Sequence, residues 1–153
     1  MNKVPVRIEI HTSQTLEDGT AQTYDSREGG FLYQKGTSFY LSYLEASEDG
    51  ETGTQTIWKV EPEQVSLIRQ GETGLRALFK MGSAERTALV TPHGILPIEI
   101  DTFHLEHDFT PEGGFLRVGY NMDIGGAMTR MELELRVKRQ EPIFAASKNI
   151  SKK

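Results

Sequence analysis

Ala127-Met-Thr-Arg-Met-Glu-Leu-Glu-Leu-Arg-Val-Lys138 is the stretch that decides the fold. Ala127, Met131, Leu133, Leu135 and Val137 occupy alternate positions, with Thr129 the one polar residue in their row. Arg130, Glu132, Glu134, Arg136 and Lys138 stand between them. A strand sends successive side chains to opposite faces, so this row buries one face and leaves mixed charge in water. On a helix Met131, Leu133 and Leu135 would be spread around the cylinder with no common apolar stripe.

The same period of two recurs outward from this stretch. Val4, Val6, Ile8 and Ile10 alternate with Arg7, Glu9 and His11, which predicts an opening strand whose Pro5 suits a strand start or an unpaired side. Asp18-Gly19 turns the chain into a weaker strand over Ala21 to Arg27, and Gly29-Gly30 is read as the next break. Phe31 to Gln34 and Phe39 to Tyr43 form strands about Lys35-Gly36, and the acidic Ser47 to Gly53 segment is a surface loop. Gln55 to Val60, Gln64 to Gln70, Leu75 to Met81 and Glu85 to Thr91 then follow with turn signals between them. Glu61 to Gln70 also admits a short helix with Pro62 in its first turn, but its apolar set is too small, and strand is the reading adopted.

Ile98 and Ile100 are apolar at even positions, whereas Phe103, Leu105 and Phe109 are apolar at odd ones. A strand that changes its buried face needs one extra residue, which predicts a β-bulge near Asp101-Thr102. Thr110 to Gly114 reverses the chain, Phe115 to Met122 runs back, and Gly125-Gly126 leads into the deciding strand. The expected class is therefore all-β: an antiparallel up-and-down meander of about 8–10 strands. Closure into a small barrel is favoured over an open sandwich, because it removes unpaired edges.

The 153 residues suffice for one self-supporting core, expected over residues 1–146, with a polar basic tail at 147–153. The chain has no cysteine, which removes disulfides, thiolate zinc sites and cysteine nucleophiles together. Its start alternates charged and apolar residues rather than forming a signal-peptide core, and no run nears the ~20 apolar residues of a spanning helix. The cytoplasm is the expected compartment. A net charge of −5 argues against nucleic acid and anionic membranes as partners.

The candidates for chemistry are few. On a strand His104, Glu106 and Asp108 share one face, read as solvated, while His107 falls in the apolar phase with Phe103, Leu105 and Phe109. His107 is thus a candidate to look into a barrel, where a buried imidazole must find partners. Thr91-Pro92-His93-Gly94 could set His93 at a barrel mouth, and Tyr40, Tyr43, Trp58 and Tyr120 are candidates to line a lumen. The bland alternatives are a satisfied core histidine, a turn filler and ordinary core aromatics. There is no Gly-x-Ser-x-Gly elbow, and the paired glycines precede no helix that could receive phosphate. Asn149-Ile150-Ser151 matches a glycosylation acceptor, read as chance.

Gly71, Leu75-Arg-Ala-Leu-Phe79, Thr91-Pro92-His93-Gly94, Ile98-Glu-Ile-Asp-Thr102 and Gly119-Tyr120-Asn121-Met122 occur in an order that resembles the bacterial YwiB-like family. The resemblance implies a small cytoplasmic protein with a lipocalin-like, calycin-type barrel, and it brings no catalytic residues. The lipocalin Gly-x-Trp signature is missing, since Thr56-Ile57 precedes Trp58, so a secreted carrier is not implied. Three functions stay in view. The favoured one is a barrel that binds a small, partly apolar molecule through His107, His93, Tyr40, Tyr120 and Trp58, without cofactor or metal. The second is a module that docks a protein partner, and the third is an enzyme with a histidine-based site; self-association is left open.

The inward row yields a direct check. Met131→Asp is expected to destabilise the fold severely and Glu132→Gln to leave it unchanged, read as the difference in their melting temperatures.

Overall fold

The computed structural model describes residues 3–46 and 53–140. Ten strands form one closed antiparallel barrel: β1 (Val4–Leu16), β2 (Ala21–Lys35), β3 (Ser38–Ala46), β4 (Gly53–Val60), β5 (Val65–Gln70), β6 (Gly74–Phe79), β7 (Ala84–Thr91), β8 (Gly94–Thr110), β9 (Gly113–Ile124) and β10 (Ala127–Arg139). Each strand pairs with its neighbours in sequence, and β1 closes the ring by pairing with β10 from Val6↔Arg139 to Leu16↔Thr129. Glu61 to Gln64 is a turn and Val65–Gln70 a strand, so the strand reading of that region holds.

The burial follows the period of two. Val6, Ile8, Leu135 and Val137 are core residues, whereas Glu132 and Arg136 are exposed. Met131 and Leu133 belong to the same inward row but are only half-buried, because they lie toward an open end of the barrel. The severe loss expected at Met131 therefore belongs to Leu135, which is wholly buried. Outside, Arg117 Nε donates to Glu134 Oε2 at 2.5 Å and its Nη1 to Glu106 Oε1 at 3.2 Å, a charged row laid across three strands. That contact with Arg117 holds the Glu134 carboxyl below its ordinary range.

The bulge falls where the phase switch placed it, at the residue that directly follows Asp101-Thr102. The β8–β9 register shifts between Thr102 and His104, leaving Phe103 as the extra residue, and Leu105, His107 and Phe109 then take up the inward phase. β7 pairs with β8 only as far as Ala84↔Asp101, so past the bulge β8 is held by β9 alone and its inner side chains are half-buried.

Gly29-Gly30 does not break the chain. β2 runs through both, and Gly30 faces Tyr43 where β2 and β3 come so close that a Cβ would lie 2.2 Å from the Ser42 carbonyl oxygen. The glycine is there for close backbone approach, and beyond it β2 parts from β3. The Ser47 to Gly53 loop reading falls on residues that, apart from Gly53, lie outside those described, as does the 147–153 tail with Asn149.

This contact generates a paired test. Gly30→Ala should cost about 1–3 kcal/mol through the clash with backbone, read as a lowered melting temperature. Gly29→Ala, which meets nothing within 4 Å, should leave the melting temperature nearly unchanged.

Candidate ligand site in the barrel lumen

In an up-and-down barrel alternate hairpins share an end. The β1–β2, β5–β6, β7–β8 and β9–β10 hairpins rim one end, and β2–β3, β4–β5, β6–β7 and β8–β9 rim the other. The second end is crossed by aromatic rings, with a cleft of about 420 Å³ at its rim that Val4, Leu32, Phe39 and Arg139 help to line. Phe39 of β3 and Phe109 of β8 sit halfway around the ring from each other, yet their ring centroids are 5.8 Å apart. Midway up the lumen Trp58, Phe79 and Tyr120, from β4, β6 and β9, form a floor, with centroids 6.1 Å apart for Trp58–Phe79 and 4.7 Å for Phe79–Tyr120.

Above the floor lies an open cavity of about 480 Å³, within the ~300–1,000 Å³ range of pockets that take one small molecule. Its walls differ in chemistry. Leu75, Leu89, Ile98, Met122, Ile124, Met131 and Leu133 make the β6–β10 side apolar. Thr12, Tyr24, Ser26, Glu45, Thr56, Arg69 and Thr73 bring polar groups from β1–β5 and the turn that follows, and Tyr120 adds a hydroxyl from β9.

A hydrogen-bonded cluster organises the polar side. Thr56 Oγ1 donates to Glu45 Oε2 at 2.6 Å, and Arg69 Nη2 donates to the same oxygen at 3.1 Å. Glu45 and Arg69 are each about one-third exposed, at 32% and 33%. Beside them Trp58 Nε1 donates to the Tyr43 hydroxyl at 3.1 Å. Burial raises the Tyr43 phenol well above its ordinary range, with the Trp58 donor opposing that rise. Tyr120 is 8% exposed and burial pushes its phenol up to about 12, but its hydroxyl has no hydrogen-bond partner among the described residues. Glu28, half-buried on the inner face of β2, has its carboxyl raised first by desolvation and then by the charge of Glu45.

The structure separates the five residues singled out as ligand-binding candidates. Trp58 and Tyr120 line the cavity together. Tyr40 does not reach the lumen: its ring stacks on Tyr33 outside the barrel, centroids 4.8 Å apart, because Leu41 and Tyr43 hold the inward phase of β3. His93 sits at the tip of the β7–β8 hairpin on the open end, exposed, with its backbone N–H donated to Thr91 Oγ1 at 3.1 Å. His107 faces inward on β8 opposite Leu116, but in the second end beneath the floor. His104 and Glu106 share the outer face, 3.5 Å apart, and no set of three or more potential metal-ligating side chains occurs among the described residues.

With this geometry the comparisons are direct. Residues 8–136 match the model of a domain of unknown function, DUF1934. The chain belongs to the DUF1934 family. The DUF1934 chain is 29% identical over 119 residues to the "Uncharacterized beta-barrel protein YwiB" of Bacillus subtilis (strain 168), covering 77% of this chain and 82% of that protein. It superposes on the crystal structure of ywiB protein from Bacillus subtilis with a TM-score of 0.76 at 25% identity, covering 88% of this chain and 92% of that one. An S-type phycobiliprotein lyase, CPES from Guillardia theta, overlaps at a TM-score of only 0.38 and 12% identity over 89% of this chain and 88% of its own, too loosely to bear on this one. No helix among the described residues is long and apolar enough to cross a membrane.

Sequence reading missed Glu28, Glu45, Thr56 and Arg69, although each was marked. Every one lies in the inward phase of its strand, in step with Leu32, Tyr43, Trp58 and Leu67 respectively. A charge that keeps step with buried neighbours is the sign of a lumen group.

The two buried tyrosines predict opposite outcomes. Tyr43→Phe strands the Trp58 indole N–H and should cost about 1–3 kcal/mol. Tyr120→Phe removes a hydroxyl that has no partner, so its melting temperature should equal or exceed that of the parent.

Proposed function

We propose that this barrel binds one small, partly apolar molecule in the open half of its lumen, with Trp58 and Tyr120 beneath the guest. One observation carries the reading: a cavity of about 480 Å³ walled by apolar side chains on one side and by Glu45, Thr56 and Arg69 on the other, above a closed aromatic floor. Such a site offers apolar area for affinity and a few placed polar groups for orientation. Of the histidines, His93 stands at the rim and His107 below the floor, so neither is needed to hold the guest.

Nile red, a neutral dye that brightens in apolar surroundings, tests this without knowledge of the natural guest. Saturable binding at one dye per chain is expected, with Leu133→Trp, which fills the cavity from the apolar wall, weakening it by about tenfold, or ~1.4 kcal/mol. The variant's melting temperature checks that the barrel is intact. Absence of saturable dye binding, or equal binding by a folded Leu133→Trp, would remove the reading.

A further inference from the structure

Glu45 and Arg69 are the charged groups that line the cavity, and Glu28, the next inward residue of β2 after the lining Ser26, adjoins them and leaves the charge unbalanced. Beside the Tyr43 hydroxyl stand Glu45, Arg69 and Glu28, and the fields of all three reach it. Two carboxylates share one guanidinium, and Arg69 is already spent on Glu45 Oε2, which Thr56 also holds. The other oxygen of Glu45 accepts nothing from the described residues, and the Glu28 side chain makes no hydrogen bond among them.

The register explains how the two acids meet. The β2–β3 ladder ends at Gly30↔Tyr43, where the strands are pressed together, and one inward step further along the same register brings Glu28 level with Glu45. Like charges at facing positions of two strands repel, and here the strands have parted. Burial and the facing Glu45 both raise the Glu28 carboxyl, as they do for an acid without a countercharge. A positive group between the two would relieve this.

A separate observation points to a polar guest. Tyr120 is more than nine-tenths buried, lines the cavity, and has a hydroxyl without a partner among the described residues. Its oxygen is not sealed off, since Thr102 Oγ1 alone among the described residues is both wholly buried and unpaired; open to the cavity, the Tyr120 hydroxyl can accept from an N–H donor as well as donate. Tyr120 stands on β9, across the lumen from the acids, and the field of Arg69 reaches it there.

We propose, on the basis of the lumen reading, that the guest is a small amphipathic amine whose ammonium group lies between Glu28 and Glu45 while its apolar body rests against the β6–β10 wall. A carboxylate guest would face two acids and compete with Glu45 for Arg69. A metal ion finds only two carboxylates with a guanidinium beside them, fewer oxygen ligands than calcium or magnesium takes.

Three compounds with one apolar body test the inference: 4-phenylbutylamine, 4-phenylbutanol and 4-phenylbutyric acid, each titrated against Nile red held by the full chain. The amine should displace the dye at roughly tenfold lower concentration than the alcohol, and the acid should be weakest. Glu28→Gln, which breaks no hydrogen bond among the described residues, should erase most of the amine's advantage while keeping the parent melting temperature or raising it. Glu45→Gln should act in the same direction. An acid that displaces as well as the amine, or an amine advantage that survives both substitutions in folded protein, overturns the inference. If the dye binds but the amine has no preference, the charge reading fails and the lumen reading stands; if the dye does not bind at all, both fail.

Discussion

Everything in this structure depends on the pairing of the first strand with the last. β1 and β10 are joined by eleven registered pairs, and in these Ile8 meets Val137, Ile10 meets Leu135 and Thr12 meets Leu133. Both strands must present the same phase to the lumen for the ring to close. A slip of one residue would turn Glu134 and Arg136 inward and Leu135 outward. With closure, the long edges of β1 and β10 disappear, and the remaining free edges are local: β2 above Gly30, β8 below its bulge, and the β6–β7 seam, where the ladder holds only two pairs.

The fold was legible because its signal is redundant. Alternation in β1, β9 and β10 fixes the buried face over long strands, so no single residue carries the assignment. The bulge was legible for the same reason, since two apolar rows of opposite phase cannot share an unbroken strand. Gly29-Gly30 was misread because one residue type serves two physical needs. A glycine permits a turn, as Gly125 and Gly126 do at φ of 59° and 90°, and it also permits two backbones to touch, as Gly30 does. Only the neighbouring strand distinguishes these, and that information is not local.

The site was legible in part. Trp58 and Tyr120 line the cavity because large aromatics in the inward phase must lie in the lumen, whereas Tyr40 is three residues from Tyr43 and so has to point the other way. Histidine drew attention for its chemistry, yet His107 and His93 are placed by the length of the barrel, one below the floor and one on the rim. Depth along the axis cannot be read from alternation, which reports only inside or outside. The inward acids and Arg69 lie on three different strands, and their meeting is set by pairings whose register the sequence does not state.

Why the upper half stays hollow follows from side-chain size. A ring of ten strands is wider than one layer of small residues can span, and the second end meets that width with Phe39 and Phe109, the floor with Trp58, Phe79 and Tyr120. Above the floor β1, β2 and β4 offer Thr12, Ser26 and Thr56, none long enough to cross. Leu75, Leu89 and Met122 on the far side pack against the core at their bases and stay half-buried, with the rest of each side chain turned to the cavity and without the dispersion contacts of a packed interior. Larger apolar side chains at Thr12 and Ser26 would reach toward that wall, whereas Thr56 is wholly buried and held by its bond to Glu45. That the sequence instead keeps short polar groups opposite a continuous apolar wall, and keeps charges in the inward phase beside them, makes the hollow half a built feature of the barrel rather than a packing defect.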